Sequence, residues 1–223
     1  MLATGLMLFT LTVAPTPAFA LLTWVNPLGG GDGSETSLIA GGGILDSLYG
    51  LANLKRIDDV VDQIWQNPGS STAEAIAKHA TNTQTLYAGP HLIFTIDGTG
   101  LGTAVTFTSA QSGAVFKFYD DPNGALDPPK WSSVPSENVA FSKQAAGLDR
   151  MVTWEIIGTS GGFGSNVIGN HVIGWEDKDD QDYNDIVFEL ANVYPVPEPT
   201  SMLLLGIGLV GLAGGKARKR FKV

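Results

Sequence analysis

From about residue 92 onward, hydrophobic and polar positions alternate along the chain with a period of two. Val152, Trp154 and Ile156 fall on one face of such a segment, and Thr153 and Glu155 fall on the other, as in a half-buried strand. Seven segments of this kind are separated by clusters of Gly, Pro, Asn and Asp: residues 92–97, 104–108, 114–119, 139–142, 151–157, 171–175 and 186–190. Short strands at this spacing are typical of an antiparallel β-sandwich. We predict a mainly β protein, with the sandwich over residues 86–192.

The period before these strands is that of a helix. Apolar residues recur three or four positions apart, with polar residues between them: Ile44, Leu45, Leu48, Leu51, Ile57, Val60, Val61, Ile64 and Trp65. Gly50 and Asn53 mark a break in this pattern, and Ser71 or Thr72 is placed to cap a short helix over residues 73–79. We therefore predict a short amphipathic helical preface over residues 44–80. A Gly/Ser-rich lead-in precedes it over residues 21–43.

The N-terminal residues have the pattern of a secretory signal peptide. Residues 1–20 are nearly all apolar or small, and they end in Ala18-Phe19-Ala20, an A-x-A cleavage site. No Lys or Arg precedes the apolar stretch, which departs from the usual pattern of such peptides. We expect residues 1–20 to be removed on export.

The C-terminal residues fall into three parts. Pro197-Glu198-Pro199 is followed by an apolar run over residues 202–215, and the chain ends in a basic tip of Lys216, Arg218, Lys219, Arg220 and Lys222. As a helix, the apolar run would span roughly 21 Å, which is less than the ~30 Å hydrocarbon core of a bilayer. We predict a C-terminal helix that inserts transiently into the membrane, with the basic tip held on the cytoplasmic side.

This tail, residues 196–223, resembles the PEP-CTERM sorting signal of bacterial surface proteins, in which a transpeptidase-like exosortase cuts near Pro-Glu-Pro. The resemblance implies that Pro197, Glu198 and Pro199 form the sorting signal and that an exosortase-type sorting enzyme is a partner. It also implies transient passage through the inner membrane to the cell surface or the extracellular matrix.

The net charge and the lack of cysteine exclude several classes of partner and site. Between the two terminal signals the chain has 8 basic and 21 acidic residues, a net charge of −13, which disfavours nucleic acid as a partner and favours cations. The chain has no cysteine, so disulfides, thiol nucleophiles and thiolate metal sites are excluded. The exported part must therefore be stabilised by packing or by a bound metal ion.

The connection between the last two predicted strands is the densest acidic segment. Its oxygen-bearing side chains are Glu176, Asp177, Asp179, Asp180, Asp182, Asn184 and Asp185. Carboxylates packed this closely repel one another unless they are solvated, protonated or shared around a cation, and hard oxygen ligands in a tight loop suit Ca²⁺. We predict a calcium site on these residues, and a solvated turn whose side chains bond their own backbone is the alternative. A second acidic turn at residues 120–127 is a candidate to converge on the first.

The same stretch resembles the bacterial domain of unknown function 4114. That family has a Gly-aromatic-Glu-Asp step, an acidic gap, and then Asp-aromatic-Asn-Asp before an apolar strand; residues 174–177 and 182–185 match these parts. The resemblance implies family acidic positions at Glu176, Asp177, Asp182 and Asp185, and it implies no established reaction.

Two functions are compatible with this sequence. The first is a non-enzymatic β-domain that calcium stabilises and the sorting tail delivers to the surface or matrix, where exopolysaccharide is a candidate partner. The second is a secreted, carboxylate-dependent hydrolase of polysaccharide, with two of the four family carboxylates as acid and base or nucleophile. We assign no catalytic residue, because one local turn does not form a cleft. Trp131, Trp154 and Trp175 are candidates for stacking on sugars, although aromatic residues on strands are more often core.

Overall fold

The structure is a computed structural model, and it describes residues 38–39, 43–97, 99–122, 130–140, 146–159, 167–177 and 182–197. Its helices are short: α1 (Ile44–Tyr49), α2 (Ser109–Ser112) and the 3₁₀ turns Leu51–Asn53 and Pro135–Glu137. The described residues otherwise form strands: β1 (Leu54–Arg56), β2 (Ile64–Gln66), β3 (Ser70–Ala77), β4 (Gln84–Ala88), β5 (His91–Ile96), β6 (Ala104–Thr108), β7 (Val115–Phe116), β8 (Phe118–Asp120), β9 (Trp131–Ser132), β10 (Met151–Ile156), β11 (His171–Trp175), β12 (Ile186–Ala191) and β13 (Tyr194–Val196).

These strands assemble into three antiparallel sheets. The largest has six strands in the order β1-β10-β11-β12-β3-β6, the second has four in the order β5-β4-β8-β9, and the third has three in the order β13-β2-β7. Every described strand pair is antiparallel. The prediction of a mainly β, antiparallel protein is therefore confirmed.

One face of the six-stranded sheet packs against the other two sheets. A single cluster of buried residues includes Phe188 of β12, Phe118 of β8 and Trp65 of β2, one from each sheet. The Phe118 ring makes edge-to-face contacts with Trp65 at 5.4 Å and with Phe188 at 5.8 Å between ring centroids. Aromatic rings packed in this way bury large apolar areas in a specific geometry, so this cluster fixes the three sheets relative to one another.

The opposite face of the six-stranded sheet is covered by α1. Ile44, Leu45 and Tyr49 of the helix lie in a second buried cluster with Val152 of β10 and Val172 of β11. Because both faces of the sheet are covered, all five residues of β11 are buried. The sequence of a strand that is buried on both faces is a nearly continuous apolar run and does not alternate between apolar and polar residues.

The helical preface predicted over residues 44–80 is mostly wrong. The helix ends at Tyr49, followed by Gly50, whose φ of 71° suits the left-handed conformation that glycine adopts without cost. The residues that follow form β1, β2 and β3. Apolar spacing of three or four was produced by short strands and a turn, whose hydrophobic positions happen to mimic a helix.

The predicted short helix at residues 73–79 is also corrected, because these residues belong mainly to β3. This strand lies between β12 and β6, and it buries Ser71, Ala73 and Ala75 with Thr72 and Glu74 less buried between them. Helix propensity is a weak preference that tertiary pairing overrides. Here the pairing partners lie far along the chain, so a local sequence pattern could not indicate them.

The seven strands predicted from residue 92 onward agree with the structure to different extents. Residues 104–108 and 171–175 are strands with the predicted bounds. The strand predicted at 92–97 lies one residue earlier, and those predicted at 151–157 and 186–190 differ by one residue at the C-terminal end. The segment 114–119 is divided between β7 and β8. Residues 139 and 140 are not in a strand, and residues 141–142 lie outside the described residues.

The terminal signals also fall largely outside the described residues. These include the signal peptide at 1–20, the lead-in up to residue 37, Glu198, Pro199 and the apolar run at 202–215. Within the described part of the chain, no helix has the length and apolar character needed to cross a membrane.

Candidate metal centre

The acidic turn connects β11 to β12 at the centre of the six-stranded sheet. These strands pair in register from His171 opposite Leu190 to Trp175 opposite Ile186. Glu176 and Asp177 therefore leave β11 directly beside the point where Asp185 enters β12. The register of the two strands brings together acidic residues that are separated by the turn.

The backbone of the turn packs closely on β11. Tyr183 has a φ of 57°, an uncommon conformation for a residue other than glycine. A Cβ atom at Gly174 would lie 2.5 Å from the Tyr183 carbonyl oxygen and 2.9 Å from Leu38 Cδ2. Only glycine at position 174 lets the returning chain approach the strand this closely.

Three carboxylates of the turn converge. Glu176, Asp182 and Asp185 each offer an oxygen, and these oxygens lie within 4.8 Å of one another. Their residues are 1%, 1% and 7% exposed. Calcium binds oxygen ligands at about 2.3–2.6 Å, so ligands on opposite sides of one ion are separated by roughly 5 Å. The spacing of the three side chains thus fits a shared cation.

Peptide N–H groups of the turn orient these carboxylates. Asp177 N donates to Asp185 Oδ2 at 2.6 Å, Tyr183 N donates to Glu176 Oε2 at 3.3 Å, and Asn184 N donates to Asp182 Oδ1 at 3.3 Å. Side chains held in this way by backbone contacts form a preorganised set of candidate ligands.

The electrostatics of the turn disfavour a fully ionised state without a cation. Burial raises the pKa of Asp185 well above its usual range, and the charges of Asp177 and Glu176 raise it further. Burial also raises the pKa of the Tyr183 hydroxyl, with the charges of Asp149 and Glu176 adding to the effect. A cation at the turn would lower the pKa of Asp185, because it favours the charged carboxylate.

The predicted ligands have different surroundings in the structure. Asn184 is buried within the turn. The Asp177 side chain contacts both groups of residues: it shares a hydrogen bond with the Asp185 side chain, and its Oδ2 accepts hydrogen bonds from Gln84 Nε2 and from Asn82 Nδ2. The predicted ligands Asp179 and Asp180 lie outside the described residues. The sequence grouped Asp177 with the other acids and gave no sign of its additional contact with Gln84 in the four-stranded sheet.

Asp120 is a buried acidic residue whose surroundings the sequence only partly indicated. It belongs to the second acidic turn, and burial raises its pKa well above the usual range, with the charge of Asp177 as the next cause. This electrostatic contact agrees with the expected convergence of the two acidic turns. Residues 123–129 of that turn, including Asp127, lie outside the described residues.

A further group of buried carboxylates was missed by sequence reasoning: Asp59, Asp62 and Asp149. Arg56 forms an ion pair with Asp59. Burial raises the pKa of Asp62 to about 8, a hydrogen bond from Thr153 opposes the rise, and the charge of Asp59 adds to it. Asp59 and Asp62 were interpreted as part of the polar face of a helix. No local sequence pattern indicated that Asp149 is buried.

The three tryptophans considered for sugar stacking are buried. Trp131, Trp154 and Trp175 belong to the two hydrophobic clusters. Trp131 Nε1 donates to the Asp177 carbonyl oxygen at 3.2 Å, and the Arg56 guanidinium lies 4.7 Å from the Trp154 ring centroid. These rings are core residues, which was the alternative considered for them.

The sorting signal begins where the described sheet ends. In β13, Pro195 pairs with Trp65 and Val196 pairs with Ile64, and Pro197 is the next residue. No flexible spacer therefore separates the folded residues from Pro197.

Comparison with known protein families identifies this tail. The family model described as the PEP-CTERM protein-sorting motif matches residues 195–219. The motif indicates an exported protein that transits the membrane and is processed by an exosortase. No match was found among curated proteins or among solved structures.

Proposed function

We propose that this protein is an exported, non-enzymatic β-sandwich domain that calcium stabilises at the β11–β12 turn, and that exosortase processing delivers it to the cell surface or extracellular matrix. The observation that carries the export part is the sorting motif at residues 195–219. The calcium part rests on the convergence of Glu176, Asp182 and Asp185. An exopolysaccharide is the surface partner that we propose for the delivered domain.

Charge and burial support calcium at this turn. Three carboxylates that are more than nine-tenths buried repel one another at short range, and a divalent cation would offset both this repulsion and the loss of hydration. The ligand atoms are carboxylate oxygens, which are the ligands that Ca²⁺ prefers. The proposed ion would connect two central strands of the six-stranded sheet and so would stabilise the fold.

Burial also favours this function over a polysaccharide hydrolase. A glycosidase needs two carboxyl groups that contact the sugar from opposite sides of the scissile bond. Glu176 and Asp182 are 1% exposed, which leaves little surface for a sugar to contact. We therefore propose a structural role for these carboxylates.

Thermal unfolding tests the calcium proposal. At a calcium concentration of 100 times Kd, binding to the native state adds about 2.7 kcal/mol, which corresponds to a rise in Tm of about 5–10 °C for a chain of this size. The full chain, purified in mild detergent, should show this rise in calcium relative to the chelator EGTA. Magnesium should substitute poorly, because it demands octahedral geometry and gives up its waters reluctantly.

A double variant provides the control. Asp182→Asn with Asp185→Asn should abolish or markedly reduce the rise in Tm while keeping the β-sheet circular dichroism. Identical melting curves for the unmodified chain in calcium and in EGTA would refute calcium stabilisation and would leave the turn as a hydrogen-bonded acidic turn.

A further inference from the structure

Asp120 is an unusual core residue, because it carries a carboxylate where its neighbours are apolar. It pairs with Leu86 of β4 on one side and with Trp131 of β9 on the other, so it lies on the core-facing side of the four-stranded sheet. The residue is fully buried. Among the described residues, neither Asp120 oxygen accepts a hydrogen bond of good geometry, and the adjacent Asp121 peptide N–H lowers the pKa of this carboxyl group by less than burial raises it.

Neighbouring groups that could neutralise this carboxylate are engaged elsewhere. The Asp121 peptide N–H donates to the Thr85 carbonyl oxygen at 2.9 Å. Lys130 Nζ lies 3.4 Å from Asp121 Oδ2 and 4.0 Å from the Tyr87 ring centroid. The Arg150 guanidinium lies 4.1 Å from the ring centroid of Trp131.

Two other buried oxygens belong to side chains near Asp120, since the charge of Asp177 acts on the Asp120 carboxylate and Gln84 contacts Asp177. Gln84 is two residues from Leu86 on the inner face of β4, and its Nε2 donates to Asp177 Oδ2. This contact fixes the amide, and its Oε1 is buried without a hydrogen-bond donor. Asp177 Oδ1 is likewise buried without a donor. Together with the two Asp120 oxygens, these are four buried side-chain oxygens without a hydrogen-bond partner of good geometry.

We propose that Asp120, Asp177 and Gln84 form a second divalent-cation site, suited to calcium, between the four-stranded sheet and the β11–β12 turn. Buried polar groups without partners indicate an ion or water that completes the site. Carboxylate and Gln carbonyl oxygens are calcium ligands, and four of them leave two or more positions of a six- to eight-coordinate ion for water. The ion would bind the two sheets to each other, whereas the ion proposed at Glu176, Asp182 and Asp185 lies within one sheet.

Calorimetric titration of the chelator-treated full chain with calcium chloride tests this site. We expect two calcium ions per chain for the unmodified protein and one for Asp120→Asn, which keeps the shape of the side chain and removes its charge. The matched control is Asp121→Asn, the same change at the adjacent residue, which should still bind two ions. Unchanged stoichiometry in Asp120→Asn would overturn the second site.

The two calcium proposals fail separately in this experiment. Asp182→Asn with Asp185→Asn should remove one ion and leave the other in place. If only Asp120→Asn loses an ion, the second site stands and the turn site does not. If the unmodified chain binds no calcium, both proposals are wrong.

A luminescence measurement keeps the test valid if Asp120→Asn does not fold. Terbium(III) binds calcium sites and emits when a nearby tryptophan is excited. Trp131 is the cross-strand partner of Asp120 and donates to the Asp177 carbonyl oxygen, so Trp131→Phe should lower the sensitised emission. Trp154→Phe, at a ring on the opposite face of the six-stranded sheet, is the control. Equal emission from the Trp131→Phe variant and the unmodified chain would contradict the proposed site.

Discussion

The Tyr49 hydroxyl donates a hydrogen bond to Glu189 Oε2 at 2.9 Å, across 140 residues of sequence. Tyr49 ends α1, and Glu189 lies in the middle of β12, and both side chains are buried. Asn170 Nδ2 donates to the other Glu189 oxygen at 2.6 Å. This contact attaches the helix to the strand that continues from the acidic turn.

Tyr49→Phe should destabilise the fold by about 1–3 kcal/mol, since a buried oxygen of Glu189 loses a hydrogen-bond donor. The aromatic ring and its packing are kept, so the loss of unfolding free energy measures the contribution of the hydroxyl group. Urea unfolding followed by circular dichroism measures the change. Tyr194→Phe, at a half-exposed ring in β13, is the control and should change stability by less than about 0.5 kcal/mol. Equal stability of the two variants would show that the hydroxyl contact contributes nothing.

Gly174→Ala should destabilise the protein and weaken calcium binding together. The added Cβ would lie 2.5 Å from the Tyr183 carbonyl oxygen, and Tyr183 cannot easily move because its hydroxyl donates to the Asp149 carbonyl oxygen at 2.9 Å. Overpacking of this kind costs about 1–3 kcal/mol. Displacing the turn would also separate Asp182 from Glu176. Thermal unfolding in calcium and in EGTA measures both effects.

Gly69→Ala is the matched control for this prediction. A Cβ at Gly69 would meet nothing within 4 Å, so the substitution should be close to neutral. If Gly174→Ala proved as stable as Gly69→Ala and kept its response to calcium, the close approach of Tyr183 would not be what positions the turn.

The sequence predicted most of the strands but not how they are joined. Residues 104–108 and 171–175 were found because their β-branched and aromatic residues are bounded by turn formers. β3 was mistaken for a helix because Ala and Glu favour helices locally, whereas its pairing with β12 depends on residues more than 100 positions away. A single sequence contains no direct signal for such non-local pairing.

The candidate site could be predicted only as a local cluster. The spacing of acids in residues 176–185 indicated Glu176, Asp182 and Asp185, because the register of one hairpin brings them together. The contact of Asp177 with the four-stranded sheet could not be predicted, since its partner Gln84 lies 93 residues away. The same holds for Asp149, which approaches Asp62 only through the packing of the folded chain.

In EGTA, the protein should become more stable as the pH is lowered from 8 to 6.5. Burial raises the pKa of Asp62 to about 8, so this carboxyl group binds a proton in the folded state at pH values where the unfolded chain is ionised. Folding then takes up protons, and stability falls as pH rises, by up to ~1.4 kcal/mol per pH unit for each such group. Asp149 and Asp185, whose pKa values are also raised, act in the same direction.

The pH range stops at 6.5 because the titration of His171 affects stability below that value. Burial lowers the pKa of His171, so the unfolded chain gains a proton there below about pH 6.5 and the fold loses stability. Asp62→Asn should flatten the slope between pH 8 and 6.5, as measured by urea midpoints at each pH. Asp58→Asn, at a more exposed acid in the same turn, should leave it unchanged. A slope of opposite sign in the unmodified chain would mean that Asp62 is ionised when folded.

The last prediction concerns where the sorting enzyme cuts. Val193 is buried, and β13 pairs with β2 up to Val196 opposite Ile64. Cleavage before Val196 would remove part of a strand whose partner Trp65 is fully buried. We therefore expect mass spectrometry of the native surface protein to find a C-terminus at or beyond Val196, together with an N-terminus that lacks residues 1–20.

Replacing Pro197, Glu198 and Pro199 by alanine should block this processing, because it removes the sorting signal and leaves the apolar run and the basic tip in place. The precursor should then remain in the membrane fraction with residues 202–223 attached. Pro195→Ala is the matched control: this proline lies within the matched motif but in β13, so its loss should leave cleavage intact. A surface protein that keeps Met1 and Val223 would contradict export through the two terminal signals. Equal processing of the triple variant and the unmodified chain would instead show that recognition does not depend on Pro-Glu-Pro.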